Sequence, residues 1–271
     1  SALPLLHYFS PMPPVRTGIA DYSRELIPHL ERTYAVKVAQ DDREEAPHGS
    51  LAMYHMGNNR YHAGIYRRAL AEPGLLVLHD YVLHHLLSAV TLAEGAEEPY
   101  VKTLLYAHGA PGGASAIART HGVFGEYQHF VFPANALVLD RSLACIVHSH
   151  DAAARVAFAH PDLPVHRVPM GVPLPPPVSP DDVAAARRRV GLAPDAFVLA
   201  NFGFITPIKR VDALLAAFKR FAAACPRAVL LVVGELFPDV DVASMCRQLG
   251  IAGRVIVDPG LAVELAEVHP S

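Results

Sequence analysis

Short apolar runs alternate with amphipathic helical stretches along almost the whole chain, and this alternation restricts the fold more than any other feature. Residues 3–9 read as a strand, and residues 19–30 carry Ile19, Tyr22, Leu26 and Leu30 at helical spacing. Strands are expected at 34–39, 51–56 and 75–79, with helices at 60–71, closed by the breaker Pro73-Gly74, and at 81–90. Residues 99–139 are mainly helical, interrupted at Pro111-Gly112-Gly113 and at Pro133. A strand at 144–147, a helix at 151–159 and a strand at 165–168 then resume the alternation. Strands separated by helices pair in parallel, because each crossover returns the chain to the same edge of the sheet, so the fold class is α/β.

Six prolines between residues 168 and 182 (VPMGVPLPPPVSPDD) interrupt this pattern. Proline lacks an amide donor and fixes φ, which rules out a helix or a central strand there. The segment reads as a stiff extended connector, dividing the chain into domains 1–172 and 173–271. Past it a helix is expected at 181–190, with acids at its start and arginines near its end. A strand at 197–202 follows, then a helix at 211–224 with Val211, Leu214, Leu215, Phe218 and Phe221 on one face. A strand at 228–233, a helix at 240–249 and a strand at 255–257 complete the reading. Two doubly wound sheets place ligand-contacting loops at the carboxyl ends of their strands, with a cleft between the domains as the expected site.

Composition narrows the partners. The 271 residues are 52% apolar with a net charge of −3, which is not the basic signature of a nucleic-acid binder. Cys145, Cys225 and Cys246 are widely spaced and form no CxxC or zinc pattern, so buried free thiols in a reducing cytoplasm are expected. Sixteen histidines call for a metal check at His84-His85, His148-Ser149-His150 and His121/His129. None has an HExxH spacing, and no metal or resident cofactor is expected. The opening SALPLLHYFSP lacks the charged and apolar regions of a signal peptide. No apolar run reaches the roughly 18 to 20 residues of a membrane span, so any membrane contact would be peripheral.

Three loops carry chemistry. In SPMPPVRTGIADY, Gly18 opens a helix whose free amides favour an anion, although a glycine chosen only for turn geometry fits equally. In VLHD, His79 follows a buried strand and could donate to a hydroxyl, while Asp80 reads as a helix N-cap. In NFGFITPIKRVD, Gly203 is followed by Lys209 and Arg210 at a helix start. Cations there oppose the helix dipole, a conflict that a bound diphosphate would relieve; a solvated Lys-Arg pair is the alternative. No GxGxxG is present, which counts against a dinucleotide enzyme.

In order, FSPMPPVRTGIADYSRELIPHL, LLVLHDYVLHHL, ACIVHSHDAAARV, VPMGVPLP, FGFITPIKRVDALLAAF and LLVVGE span nearly the whole chain. This ordered set resembles glycosyltransferase family 4, the retaining family with the GT-B fold. The resemblance implies two Rossmann-like parallel-sheet domains facing across a cleft, the first on the acceptor side and the second binding a nucleotide sugar. It also implies transfer of a hexosyl group from a nucleotide diphosphate sugar to a hydroxyl of a saccharide, lipid or small molecule. Gly18 would lie near the donor phosphates, His79 near the transferred sugar, and Lys209 with Arg210 at the diphosphate. Gly203 and Glu235 would belong to the nucleotide-side loops. A non-catalytic nucleotide-sugar-binding or scaffold protein, or a GT-B-like epimerase, is the alternative. Two departures stand out: Phe204 occupies the place where relatives often carry arginine, and no E-x7-E segment follows Val257. Glu264 and Glu267 do not have that spacing. The second domain is therefore expected to be incomplete in this sequence.

Overall fold

A computed structural model describes residues 2–41, 44–172, 174 and 176–258. The chain divides into two units, 1–174 and 175–271.

The first unit opens with β1 (Leu5–Phe9), α1 (Gly18–Leu30), β2 (Ala35–Val38) and β3 (Leu51–Met56). It continues through α2 (Ala63–Ala71), β4 (Leu75–Leu78), α3 (His84–Val90) and α4 (Glu97–Thr120). Two short helices follow, α5 (Gln128–Val131) and α6 (Ala136–Asp140), then β5 (Ala144–Val147), α7 (His150–Ala159) and β6 (Val165–Arg167). The six strands form one parallel sheet in the order β2-β1-β3-β4-β5-β6. The winding direction reverses at β1, so the carboxyl ends of β1 and β3 flank the switch point.

Strand alternation sends neighbouring side chains to opposite faces. Leu6, Tyr8, Met53 and Val77 form one apolar cluster, joined by Leu26, Ile27 and Leu30 of α1. Phe9, Ala52, Tyr54, Met56, Leu76, Leu78, Cys145 and Val147 point the other way, into a larger core built with residues of α2, α3, α4 and α6.

The break expected at Pro111 lies slightly earlier. Gly109 adopts φ 63° and ψ −155°, splitting α4 into two helical segments, and Pro111 sits in the first turn of the second, where its missing amide is harmless. A Cβ on Gly112 would lie 2.4 Å from the Leu104 carbonyl oxygen, so only glycine lets the two segments meet.

The second unit holds α8 (Pro180–Arg189), β7 (Phe197–Phe202), α9 (Val211–Ala224), β8 (Ala228–Val233), α10 (Val242–Leu249) and β9 (Val255–Asp258). Its strands pair in parallel in the order β7-β8-β9. Ser179 and Asp182 form a reciprocal capping box at the start of α8. On α9 the buried stripe is Val211, Leu215, Phe218 and Ala222. Phe221, expected on that face, is 40% exposed and packs beside Phe197 instead. The 4-3-4 spacing of the stripe brings position 222, not 221, back over Val211. Cys145 and Cys246 are buried thiols, whereas Cys225 is only half-buried. Glu264 and Glu267 lie outside the described residues. No helix among the described residues is long and apolar enough to cross a membrane.

Candidate functional site

In the first unit the carboxyl edge of the sheet gathers three histidines from three strands. His55 is in β3, His79 directly follows β4, and His148 directly follows β5. Register aligns His55 with Val77 and Val77 with Ile146. His79 and His148 each lie two residues further on, so all three rings emerge on the face covered by α1. His55 Nδ1 lies 2.9 Å from His79 Nε2, and His79 Nδ1 lies 3.1 Å from His148 Nε2. The Val168 carbonyl accepts from His148 Nδ1 at 2.8 Å, closing the outer end. Tyr22, one turn into α1, packs against the three rings at centroid distances of 6.1, 5.3 and 5.7 Å.

Burial keeps the two inner rings neutral. Desolvation, reinforced by the neighbouring His148 and His62, pushes His79 down to about 3. His55 is fully buried and lies well below the ordinary histidine range for the same first reason. Both ring nitrogens of His79 are engaged within the protein, so a ligand oxygen meets this residue only by replacing one of its partners. The same α1 is capped by Thr17, whose hydroxyl accepts the Ala20 amide at 3.1 Å. Gly18 is exposed at the first helical position, and nothing lies within 4 Å of the place a Cβ would take, leaving its side of the helix start open.

Asp80 is not the cap of α3. The helix starts at His84, and its amides at His85 and Leu86 donate to Asn58 Oδ1 at 2.9 and 3.1 Å. The cap therefore comes from the loop after β3, while the Asp80 carboxylate accepts the Asn58 amide at 2.8 Å. Three residues separate Asp80 from the helix start, too many for it to reach the first-turn amides. Asn58→Ala removes this cap and is expected to lower the stability of the first unit by about 1–2 kcal/mol. A urea melt followed by tyrosine emission would measure it.

The Asn58 side chain also donates to His85 Nδ1 at 2.9 Å, which leaves the proton of that ring on Nε2. His85, Glu126 and His129 bring their ligand atoms within 4.8 Å of one another. The donor set does not suit a cation. The two rings stack at 3.8 Å, His85 Nε2 is protonated, and the Arg119 guanidinium lies 2.9 Å from His129 Nε2. Beneath them, buried His84 donates to the Phe132 carbonyl at 2.7 Å and accepts from the Tyr100 hydroxyl at 2.6 Å. Burial pushes His84 down to about 3.

In the second unit the carboxyl edge is made by two glycines. Gly203 follows β7 at φ 119°, and Gly234 follows β8 at φ 142°. A Cβ on Gly234 would lie 2.0 Å from the Gly203 carbonyl oxygen, so the two loops cross in contact. They are laced by backbone bonds from Ile205 to the Glu235 carbonyl and from Phe237 to the Ile205 carbonyl, each 2.9 Å. The Glu235 side chain is exposed, and nothing lies within 4 Å of where a Gly203 side chain would begin.

Lys209 ends the 3-10 turn Pro207–Lys209 and is exposed, with no carboxylate at ion-pair distance among the described residues. Arg210 differs from the expectation of a free cation. It takes a left-handed conformation at φ 52°, and its guanidinium pairs with the Asp212 carboxylate at 3.2 and 3.4 Å. That pairing lowers the Asp212 pKa, and the neighbouring backbone amide of Ala213 lowers it further. The opposition between cations and helix dipole is thus relieved partly by Asp212 itself.

No known family model matches the chain. Among curated proteins, the D-inositol 3-phosphate glycosyltransferase of Segniliparus rotundus is 40% identical over 96 residues, covering 33% of this chain and 21% of the relative. The enzyme of the same name from Actinosynnema mirum is 39% identical over 102 residues, covering 34% and 24%. The matched stretch therefore spans about a fifth to a quarter of these relatives' length. Among solved structures, WaaG, a glycosyltransferase involved in lipopolysaccharide biosynthesis, aligns with 96% of this chain and 72% of its own, at a TM-score of 0.49 and 13% identity. An α,α-trehalose 6-phosphate synthase from Burkholderia multivorans aligns at a TM-score of 0.39 and 14% identity.

Proposed function

We propose that the chain is part of a GT-B-type glycosyltransferase that moves a hexosyl group from a nucleotide diphosphate sugar to an acceptor hydroxyl. The observation that carries this reading is the carboxyl edge of the second unit. Gly203 leaves its backbone exposed where the chain exits β7, with nothing within 4 Å of the place a Cβ would take, and six residues on Lys209 is exposed with no carboxylate partner among the described residues. Such an arrangement suits an anion with several acceptor oxygens. The partial similarity to D-inositol 3-phosphate glycosyltransferases supports the same reading.

In this reading Lys209 neutralises the charge that develops on the leaving diphosphate as the glycosidic bond breaks. Arg210 contributes only if it exchanges Asp212 for phosphate. The first unit supplies the acceptor side, with His79 at the sugar. Transfer with retention fits a departing phosphate that itself receives the acceptor's proton on the same face of the sugar. The anomeric proton signal of a product would report that stereochemistry.

The test is thermal unfolding against UDP, GDP, ADP and TDP sugars. One nucleotide class at a hundred times its dissociation constant is expected to stabilise by about 2.7 kcal/mol. Lys209→Ala should weaken that binding roughly 10- to 100-fold, the worth of a hydrogen bond to a charged group. No stabilisation by any donor would overturn the reading.

A further inference from the structure

His148 carries the outer end of the histidine chain, and its polarity follows from one contact. A carbonyl oxygen only accepts, so the 2.8 Å contact to Val168 places a proton on His148 Nδ1. The Val168 carbonyl is itself held in place, because its own amide donates to the Val147 carbonyl at 2.9 Å. In a neutral His148 ring, Nε2 then accepts the N–H of His79 Nδ1 at 3.1 Å. The argument repeats inward: His79 Nε2 accepts from His55 Nδ1–H at 2.9 Å. The chain ends on His55 Nε2, a buried nitrogen with no partner among the described residues.

Reversing the direction is costly at both ends. It would make His148 an imidazolium and would bury an N–H on His55 Nε2 without an acceptor, whereas a bare lone pair there is the cheaper orphan. His62 fixes the backbone at the inner end, donating to the His55 carbonyl at 2.9 Å.

We propose that His148 is a positioning residue: through the Val168 carbonyl it sets His55, His79 and His148 as Nδ1–H tautomers, and so makes Nδ1 the atom by which His79 donates to a ligand oxygen. The inner partner, His55, is wholly buried, while His148 is half-exposed. A ligand oxygen therefore displaces His148 Nε2 and accepts the hydrogen bond from His79 Nδ1–H. The tautomer assignment stands on the geometry of the first unit alone. The ligand step rests on the glycosyltransferase reading given above.

The experiment is long-range 1H–15N correlation on 15N-histidine-labelled protein, which separates protonated from bare ring nitrogens. The wild-type protein is expected to show protonated Nδ1 and bare Nε2 on all three rings; a protonated Nε2 on His79 overturns the proposal without any variant. His148→Leu should shift His79 to a mixture of tautomers or to Nε2–H. His148→Gln should restore the wild-type signals, because its amide offers a donor to Val168 and an acceptor to His79. Unchanged His79 signals in a folded His148→Leu protein would also overturn the proposal. Adding the stabilising nucleotide sugar should move the His79 Nδ1 signal. If the tautomers are as expected and no donor moves that signal, the ligand step falls and the positioning role stands.

Discussion

Acidification from neutral to about pH 4 is expected to unfold the first unit of this protein and spare the second. Burial lowers the His79 and His84 values to about 3, and it lowers those of His7, His55, His62, His108 and His129 as well. A histidine whose folded pKa lies below its unfolded value near 6.5 stays neutral in the native state while the unfolded chain takes up a proton. Stability is therefore full above about pH 6.5 and is lost as pH falls towards the folded value. Each such ring costs about 1.4 kcal/mol per pH unit in that window. His84, 1% exposed, and His79 together cost roughly 5 kcal/mol over two units, comparable to the whole stability of an ordinary domain.

Of the sixteen histidines all but His269 precede residue 175, and His269 lies outside the described residues. The ten tyrosines all lie at or before Tyr127, and the chain has no tryptophan. Tyrosine emission thus reports the first unit alone, while far-ultraviolet dichroism reports both. The expected result is a tyrosine transition below about pH 6 with only partial loss of the dichroism. A tyrosine signal unchanged down to about pH 3.5 would show that these rings are not held neutral.

The second large effect is expected from Gly234→Ala. Its φ of 142° is a conformation that residues with a side chain rarely adopt, and the added Cβ would lie 2.0 Å from the Gly203 oxygen and 2.7 Å from its carbonyl carbon. These are backbone atoms at the end of β7, so neither loop yields without parting the bonds at Ile205 and Phe237. Backbone strain of about 1–3 kcal/mol adds to overpacking of similar size, for a loss of about 3–5 kcal/mol. Gly250→Ala is the comparison, since at φ 71° its Cβ meets nothing within 4 Å and only the local conformational cost of roughly 1–2 kcal/mol applies. Urea unfolding by dichroism should show the difference in the second unit, with the tyrosine transition of the first unchanged. Equal losses in the two variants would mean that the Gly203–Gly234 crossing is not tight in solution.

What the sequence determined by itself is the material of the fold. Apolar runs such as 228–233 and helical stripes such as Val211, Leu215 and Phe218 are local periodicities, and a period is legible without knowing what it packs against. The proline run after Val168 is legible for the same reason, because its restriction on φ acts within each residue. Local reading failed where a partner from elsewhere decided the outcome. Asp80 has the chemistry of a cap, yet Asn58 caps α3 from a strand end 27 residues away. Arg210 reads as a free cation until its left-handed backbone folds it onto Asp212.

The histidine chain shows the limit most clearly. His55, His79 and His148 each fall in the strand phase that faces α1, a signal present in the alternation of β3, β4 and β5. Only the parallel register, bridging separations of 24 and 69 residues, makes them neighbours. The contact between Gly203 and Gly234 has the same origin, since their close approach exists only once β7 and β8 pair. Residue types and spacings determined which groups were available. Strand order and register, set by long-range packing of two apolar faces, decided which of them meet.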